Sequence, residues 1–334
     1  MSLKHDELQM FLKQLKLAEK TNTKLALLIR RTILNIQEEV DREWYKYQEK
    51  YHLDNEQMIK YFNKKMSQSE IEKYVETHQY ALADFTSFKG KISRLVLLKN
   101  HIAYEMNYVQ TESINHIEVL LKEVIENTYA RNIYHISKEI GFELTFNKPS
   151  KEKIEKLLHH NWLDDGNWYG RVKNYSNSLK NSVEEVLTDG VMRGKSPQFM
   201  AQELQKISNI GTTSAQRIAR TETSYFHNKT EMEQYKDLGI ERYMWCSTLD
   251  SRVCQRASHK CGKSCAELDG MIFEVGGKDS PMPPDASHPN CRCCVVAYFD
   301  EETKNNLMRR AKTKDGEPVV FQYKNYEEWA TDNL

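Results

Sequence analysis

Cysteine is missing from the first 245 of the 334 residues; all seven lie between Cys246 and Cys294. Thiols used as ordinary packing groups would not avoid three quarters of a chain, so the cluster belongs to one local structure. Proline is absent before Pro149, and Gly90 is the only glycine before Gly141. Helices over that stretch meet almost no breaker, which excludes a turn-rich β architecture there. No run approaches the ~18 apolar residues of a membrane span, and the opening MSLKHDELQM lacks the apolar core of a secretory leader. The expectation is cytoplasmic synthesis and no membrane partner. Net charge is missing too: Lys plus Arg and Asp plus Glu are 48 each. Global electrostatics therefore give no reason for nucleic-acid binding, although a local patch stays open. The phosphate-cradling pattern G-x-x-x-x-G-K-[ST] is also absent.

What is present first is helical periodicity. Over about residues 22–52, Leu25, Ile29, Ile33, Ile36, Val40, Trp44, Tyr47 and Tyr51 step by three or four and form one helical stripe. Tyr45 falls off that stripe and is expected to be exposed. A second helix is predicted from about Glu112 to Ile140, with Ile117, Leu121, Val124, Ile133 and Ile136 inward. Residues 55–110 look helical but less regular. Such stripes read as the core of a helical bundle or hairpin, with a partner-binding helix as the sharper alternative.

A boundary is predicted near residues 141–150. Ser150 caps a short helix after Pro149, and an aromatic turn from Trp162 to Tyr169 leads into a long helix ending before Gly194. Ser196-Pro197 is a helix start, with Phe199, Met200, Leu204 and Ile207 as its inner face. A separate helix is expected over about Thr213–Asp237, stopping at Gly239, followed by a strand from Arg242. The chain thus divides into a helical region 1–140, an α-rich region 141–299 and a charged tail 300–334 with a Val319-Val320-Phe321 run. The middle region ends in a small Cys/His-rich knot with short strands at 246–296. The fold class is mainly α.

Three segments in order carry a resemblance. They are Gln216-Arg217-Ile-Ala-Arg220-Thr221-Glu222-Thr223, then Trp245-Cys-Ser-Thr-Leu-Asp250-Ser-Arg-Val-Cys254, then His288-Pro-Asn-Cys291-Arg-Cys293. Cys265 stands ahead of Leu268-Asp269-Gly270 between the last two. The series resembles the phage head-morphogenesis or minor capsid family, often called Mu protein F-like. That likeness covers roughly residues 162–296 and implies a minor head protein of the virion, made in the host bacterial cytoplasm. It also implies portal protein and procapsid or scaffold components as partners, with double-stranded DNA as a further contact. The chain departs from the family in one respect: Gln255–Ser264, which includes His259 and Cys261, separates two cysteines the family keeps close.

Zinc takes four nitrogen or sulfur ligands in a tetrahedron, and a structural site draws all four from protein. Cys254, Cys265, His288 and Cys291 complete such a set. Cys291 and Cys293 point to opposite sides of an extended segment, so Cys293 is a substitute ligand, as is Cys261. Cys294 reads as a packed thiol. Disulfides and uncoordinated thiols are the competing readings, and a reducing cytoplasm favours metal. Arg217, Arg220, Glu222 and Asp250 read as a structural signature. Arg220 and Glu222, two apart on a helix, face different sides, and Asp250 reads as a turn or cap residue.

No catalytic set accompanies these residues. A zinc deaminase needs H-x-E with P-C-x-x-C, and Pro289-Asn-Cys291-Arg-Cys293 has the wrong spacing. An HNH-type nuclease, the alternative function, needs a metal-binding histidine beyond His288-Pro-Asn290, and none follows in the sequence. Some proteins resembling this family carry an appended ADP-ribosyltransferase domain; the 300–334 segment is too short for one. The expectation is a non-enzymatic protein.

Overall fold

The computed structural model describes residues 3–77, 92–141, 144, 148–163, 166–248, 253–255, 262–284, 289–302 and 326–333. The described residues form helices α1 (Leu3–Tyr51), α2 (Asn55–Asn63), α3 (Gln68–Thr77), α4 (Arg94–Ile140) and α5 (Lys151–Leu158). After these come α6 (Trp168–Met192), α7 (Pro197–Leu238), β1 (Arg242–Cys246), α8 (Cys265–Leu268), β2 (Ile272–Glu274), β3 (Cys294–Ala297) and α9 (Tyr326–Asn333). The mainly α class and the short strands near the cysteines are as the composition predicts. The Val319–Phe321 run lies outside the described residues. No helix among them is long and apolar enough to cross a membrane.

The chain forms two compact units. The first comprises residues 1–23, 115–171 and 216–334; the second comprises 24–114 and 172–215.

In the second unit the α1 stripe is buried from Leu25 through Ile29, Ile33, Ile36 and Val40 to Trp44, and Trp44 meets Phe62 of α2 at 5.8 Å. Tyr45 is exposed, and Gln198 Nε2 donates to its hydroxyl at 2.6 Å. α2 begins with a reciprocal cap: Gln57 N donates to Asp54 Oδ1 at 2.8 Å and Asp54 N to Gln57 Oε1 at 2.9 Å. Phe199 is a correction. Expected inside, it is 44 % exposed beneath the Lys195 ammonium, while Met200 and Leu204 are buried. The helix that starts at Ser196-Pro197 and the separate one expected over Thr213–Asp237 are a single continuous helix, α7. A Cβ at Gly211 would stand 2.9 Å from Leu179 Cδ1, and Tyr175 donates to the Gly211 carbonyl at 2.9 Å. The glycine permits a close helix contact rather than a turn.

In the first unit, Ala130, Ile133, Ile136 and Ile140 of α4 pack with Met232 and Tyr235 of α7 and with Tyr243, Val295 and Ala297 of the sheet. Ser150 caps α5, accepting from Lys153 N at 3.1 Å. α7 ends at Gly239, φ 71°, where Ile240 N bonds Tyr235 O at 2.8 Å in a left-handed terminus that suits glycine. The sheet is antiparallel with order β2-β1-β3. β3 is therefore an edge. Its register sets Trp245 opposite Val295 and Cys246 opposite Cys294. The Val295 amide is taken by Asn228 Oδ1 of α7 at 2.9 Å, and Asn228 Nδ2 donates to Cys293 O at 3.2 Å. One buried side-chain amide thus substitutes for a neighbouring strand.

The α7 residues Thr221, Ser224, Asn228 and Glu231 recur at three- and four-residue steps and are all buried, a polar stripe inside a helical core. At its end Glu231 faces Glu7 of α1, both fully enclosed. Burial pushes Glu7 up to about 7 and Glu231 well above the carboxylate range. His227 stacks on Phe11 at 4.7 Å and meets Thr128 Oγ1 at 3.0 Å. Burial pushes its imidazole down to about 3.

Two expectations follow. Asn228→Ala leaves the Val295 amide and the Cys293 carbonyl buried without partners. At about 1–3 kcal/mol per group, chemical denaturation is expected to show a loss of about 3 kcal/mol; a loss below 0.5 kcal/mol would contradict this account of the edge. The second concerns pH. A carboxyl whose folded value is raised keeps its proton where the unfolded chain has released it. Its contribution is whole below the ordinary 4.5 and drains away as pH rises toward 7. Neutral His227 acts in the opposite sense, its stability being lost as pH falls below its ordinary 6.5. Glu231→Gln removes only the carboxyl effect. Its stability relative to wild type is expected to rise by up to about 1.4 kcal/mol per pH unit between pH 5 and pH 7, and equal shifts at both pH values would refute the raised carboxyl values.

Candidate metal centre

Strand pleat divides the described cysteines into two groups. Cys246 and Cys294 lie on one side of β1 with Phe11 and Val296. Trp245 lies on the other with Leu268, Cys265, Cys291 and Cys293. The last three thiols are buried and their sulfurs all lie within 4.8 Å of one another. Zinc–thiolate bonds of about 2.3 Å in a tetrahedron place sulfurs about 3.8 Å apart, which lies within that limit. Three buried soft donors at this spacing fit a thiolate metal.

Three local devices bring them together. α8 starts with a capping box in which Ser264 Oγ accepts from Glu267 N at 3.2 Å and Ser264 N donates to Glu267 Oε2 at 2.7 Å, fixing Cys265 at the first helical position. Ser247, just after β1, links the sides. Its hydroxyl donates to Cys265 O at 2.7 Å and accepts from Trp245 Nε1 at 3.0 Å, with Cys293 Sγ 3.4 Å away. Its amide donates to Asp269 Oδ1 at 2.8 Å. Finally, Asn290 adopts φ 60° in a turn, and Asn290 N donates to Thr221 Oγ1 of α7 at 3.0 Å.

That turn explains the position of Cys293. The alternation expected of an extended segment does not apply, because β3 begins only at Cys294. Residues 289–293 curl, and Cys291 and Cys293 converge on Cys265. The Cys265 and Cys291 thiols donate to Cys293 and, against the cost of burial and with help from Ser247 and Trp245, hold it down to about 3. Cys254 is half-buried against this cluster, outside the three-sulfur group, and its carbonyl accepts from Ala266 N at 3.2 Å. His288, Cys261, His259 and Asp250 lie outside the described residues. None of the six described cysteines is in a disulfide.

The helix signature makes a separate network. Glu222 is 1 % exposed and accepts from Arg171 Nε at 2.6 Å and Trp162 Nε1 at 3.1 Å. Arg171 lies over the Trp162 ring at 5.0 Å, and that ring stacks on Tyr225 at 4.3 Å. Arg220 reaches Glu19 at 2.6 Å, at the surface; Arg217 is exposed. A surface pair is worth about 0.2–1 kcal/mol, whereas breaking a buried one costs about 3–5 kcal/mol. Within the signature, Glu222 carries the structural weight. Thr221, Asn228, Ser247 and Asp269 were not anticipated as site residues. The signal for the first two is the periodic polar stripe of α7.

Comparison with known proteins agrees with this geometry. Residues 181–296 match the family described as phage Mu protein F like protein. The minor head protein GP7 of Bacillus phage SPP1 is 24% identical over 274 residues, covering 78% of this chain and 84% of GP7. An uncharacterized protein of Haemophilus influenzae is 25% identical over 286 residues, covering 83% of this chain, which spans 58% of that relative's length. The NAD(+)–arginine ADP-ribosyltransferase EFV of Enterococcus faecalis is 26% identical over 178 residues, 49% of this chain and 34% of that protein. No solved structure matches significantly. The matched stretch takes in the buried Glu222, the Asn228 edge cap and all three clustered thiols, and over it the chain is similar to the phage Mu protein F-like, or minor head protein, family.

Proposed function

We propose that this chain is a minor head protein that acts in procapsid and head morphogenesis at the portal vertex, binding portal protein and scaffold components and contacting packaged double-stranded DNA. The observation that carries the reading is the likeness to GP7, which extends along 84% of that protein rather than over the cysteine segment alone. In the same reading, Cys265, Cys291 and Cys293 hold a structural zinc, with Cys254 or His288 as the fourth ligand. The buried sulfurs support a closed site that stabilises and leaves no position for substrate. The protein performs no catalytic turnover of its own, and no catalytic roles are assigned to its residues.

A structural zinc contributes on the order of 10 kcal/mol of binding free energy, comparable with the whole stability of a domain. Protein purified under reducing, chelator-free conditions is expected to contain about one zinc per chain. Cys291→Ser is expected to lose it together with the ordered knot, while Cys294→Ser, altered on the opposite sheet face, retains it. Metal-free wild-type protein would remove zinc from the reading. Assembly is tested separately: the full-length chain is expected to co-purify with its cognate portal protein and to be found in purified particles. Absence from particles together with no portal association would overturn the morphogenetic role.

A further inference from the structure

The second unit contains a cleft outside the family-matched residues 181–296. It lies between the end of α1, α2, α3 and the start of α4, and has a volume of about 750 Å³, within the range of about 300–1,000 Å³ usual for ligand sites. The chain has no net charge, yet seven cationic side chains line this cleft against three carboxylates. Arg42 is paired with Glu39 and Arg94 with Glu70. Lys46, Lys50, Lys64, Lys65 and Lys73 have no carboxylate within ion-pair distance among the described residues, and all five are exposed. Positive charge is therefore concentrated here and left uncompensated.

Aromatic rings are interleaved with it. Tyr47 packs on Tyr61 at 4.2 Å and stacks with Tyr51 at 6.0 Å and an interplanar angle of 10°. Tyr51 ends this series and is 52% exposed, with surface area free for a further ring. The Lys46 and Lys50 ammoniums sit 5.3 and 5.1 Å from the Tyr47 and Tyr51 ring centres. Below them, the Arg94 guanidinium lies 4.2 Å from the Tyr61 ring. Arg94 is 8% exposed, and its Nε is buried without an acceptor. A guanidinium in that state adds positive potential beneath the cleft that its one carboxylate partner does not fully offset.

Cations suit any polyanion; a tyrosine ladder ending on an exposed face suits one that also presents flat rings. An acidic polypeptide offers charge without rings. A duplex offers phosphates, but its bases are paired and stacked on one another. An unpaired strand supplies both phosphates for the lysines and a base face for Tyr51. We infer that this cleft binds a single-stranded nucleic-acid segment, with its phosphates on Lys46, Lys50, Lys64 and Lys65 and an unpaired base on Tyr51.

The test uses the full-length protein and fluorescein-labelled twelve-residue oligothymidylate, followed by anisotropy at several salt concentrations. Binding is expected to weaken with salt. Replacing Lys46 and Lys50 together by Glu should weaken it at least tenfold, and Tyr51→Ala roughly five- to a hundredfold. Tyr51→Phe keeps the stacking face and should bind like wild type, as should Lys206→Glu, altered away from the cleft. Circular dichroism melts confirm that each variant is folded. An unlabelled twelve-base-pair duplex and polyglutamate are expected to compete poorly, and free thymidine monophosphate, with one phosphate, more weakly than the strand. Failure of the strand to bind overturns the inference, as does duplex or polyglutamate competing as well as the strand. Binding unchanged by the Lys or Tyr51→Ala variants also overturns it. None of these outcomes depends on portal association or particle incorporation, so this inference and the morphogenetic reading fail independently.

Discussion

The side chains of α7 hold the cysteine segment in place. That segment is rich in glycine and proline, and among its described residues it contributes few large apolar side chains, so it cannot order itself by hydrophobic burial alone. It is instead hydrogen-bonded to a helix that carries polar groups where an ordinary core helix carries leucine. Thr221 receives the Asn290 amide, and Asn228 takes the Val295 amide of β3 and the Cys293 carbonyl just before that strand. Those two contacts fix the turn before β3, and the turn brings Cys291 and Cys293 to the same side. Thiol convergence therefore follows from helix–strand hydrogen bonding before any metal enters.

The same stripe has an electrostatic cost. Glu231 and Glu7 are enclosed together, and neither has an arginine or lysine within ion-pair distance among the described residues. Two enclosed carboxyls cannot both ionise, so the fold retains protons at neutral pH. Glu222 shows the opposite solution on the same helix. There Arg171 and Trp162 supply donors to both oxygens of the buried carboxyl group. The difference lies in the neighbours, since the residue type and the helix are the same. A hydrophobic core alone would be cheaper than either arrangement. What the polar stripe adds is direction: its hydrogen bonds specify one register for β3, which nonpolar contacts would leave loosely defined.

Much of this was legible in the sequence. The α1 stripe from Leu25 to Trp44 was readable because a long helix repeats its signal over many turns, and packing in the structure follows it. Ser150 and Ser196-Pro197 were readable because capping is local chemistry. The starts of α1 and α4 were not: the helices begin at Leu3 and Arg94, ahead of the apolar stripes read from about residues 22 and 112, whereas their last turns fall where expected. That the helices expected from Pro197 and from Thr213 are one was not legible for a physical reason: a glycine such as Gly211 that ends a helix and one that admits a neighbouring side chain are identical in sequence, and only Leu179 and Tyr175 distinguish them. Cys293 was misjudged because strand alternation was extended one turn too far, across Asn290 in a left-handed conformation. Glu7 and Glu231 were invisible as a pair because nothing local links residues so distant in the chain.

The distribution of charge follows the same logic. A total of zero says nothing about where the charges lie, and in this chain the cancellation is uneven. Along α1, Glu39 takes Arg42, whereas one turn further on Lys46 and Lys50 meet tyrosine faces instead of carboxylates. A helix selected only for solubility would favour Glu–Lys pairs at four-residue spacing, as Lys60 and Glu56 form in α2 at 3.1 Å. Leaving lysines uncompensated beside stacked rings costs stability through mutual repulsion, and such a concentration is expected where an external anion offsets it. The cysteine segment and the cleft are thus parallel cases. In each, groups that the fold does not need for its own stability are held close together, and the chemistry of those groups names the class of ligand that would relieve them: a soft metal ion for three buried thiols, and a base-bearing polyanion for lysines set among tyrosines.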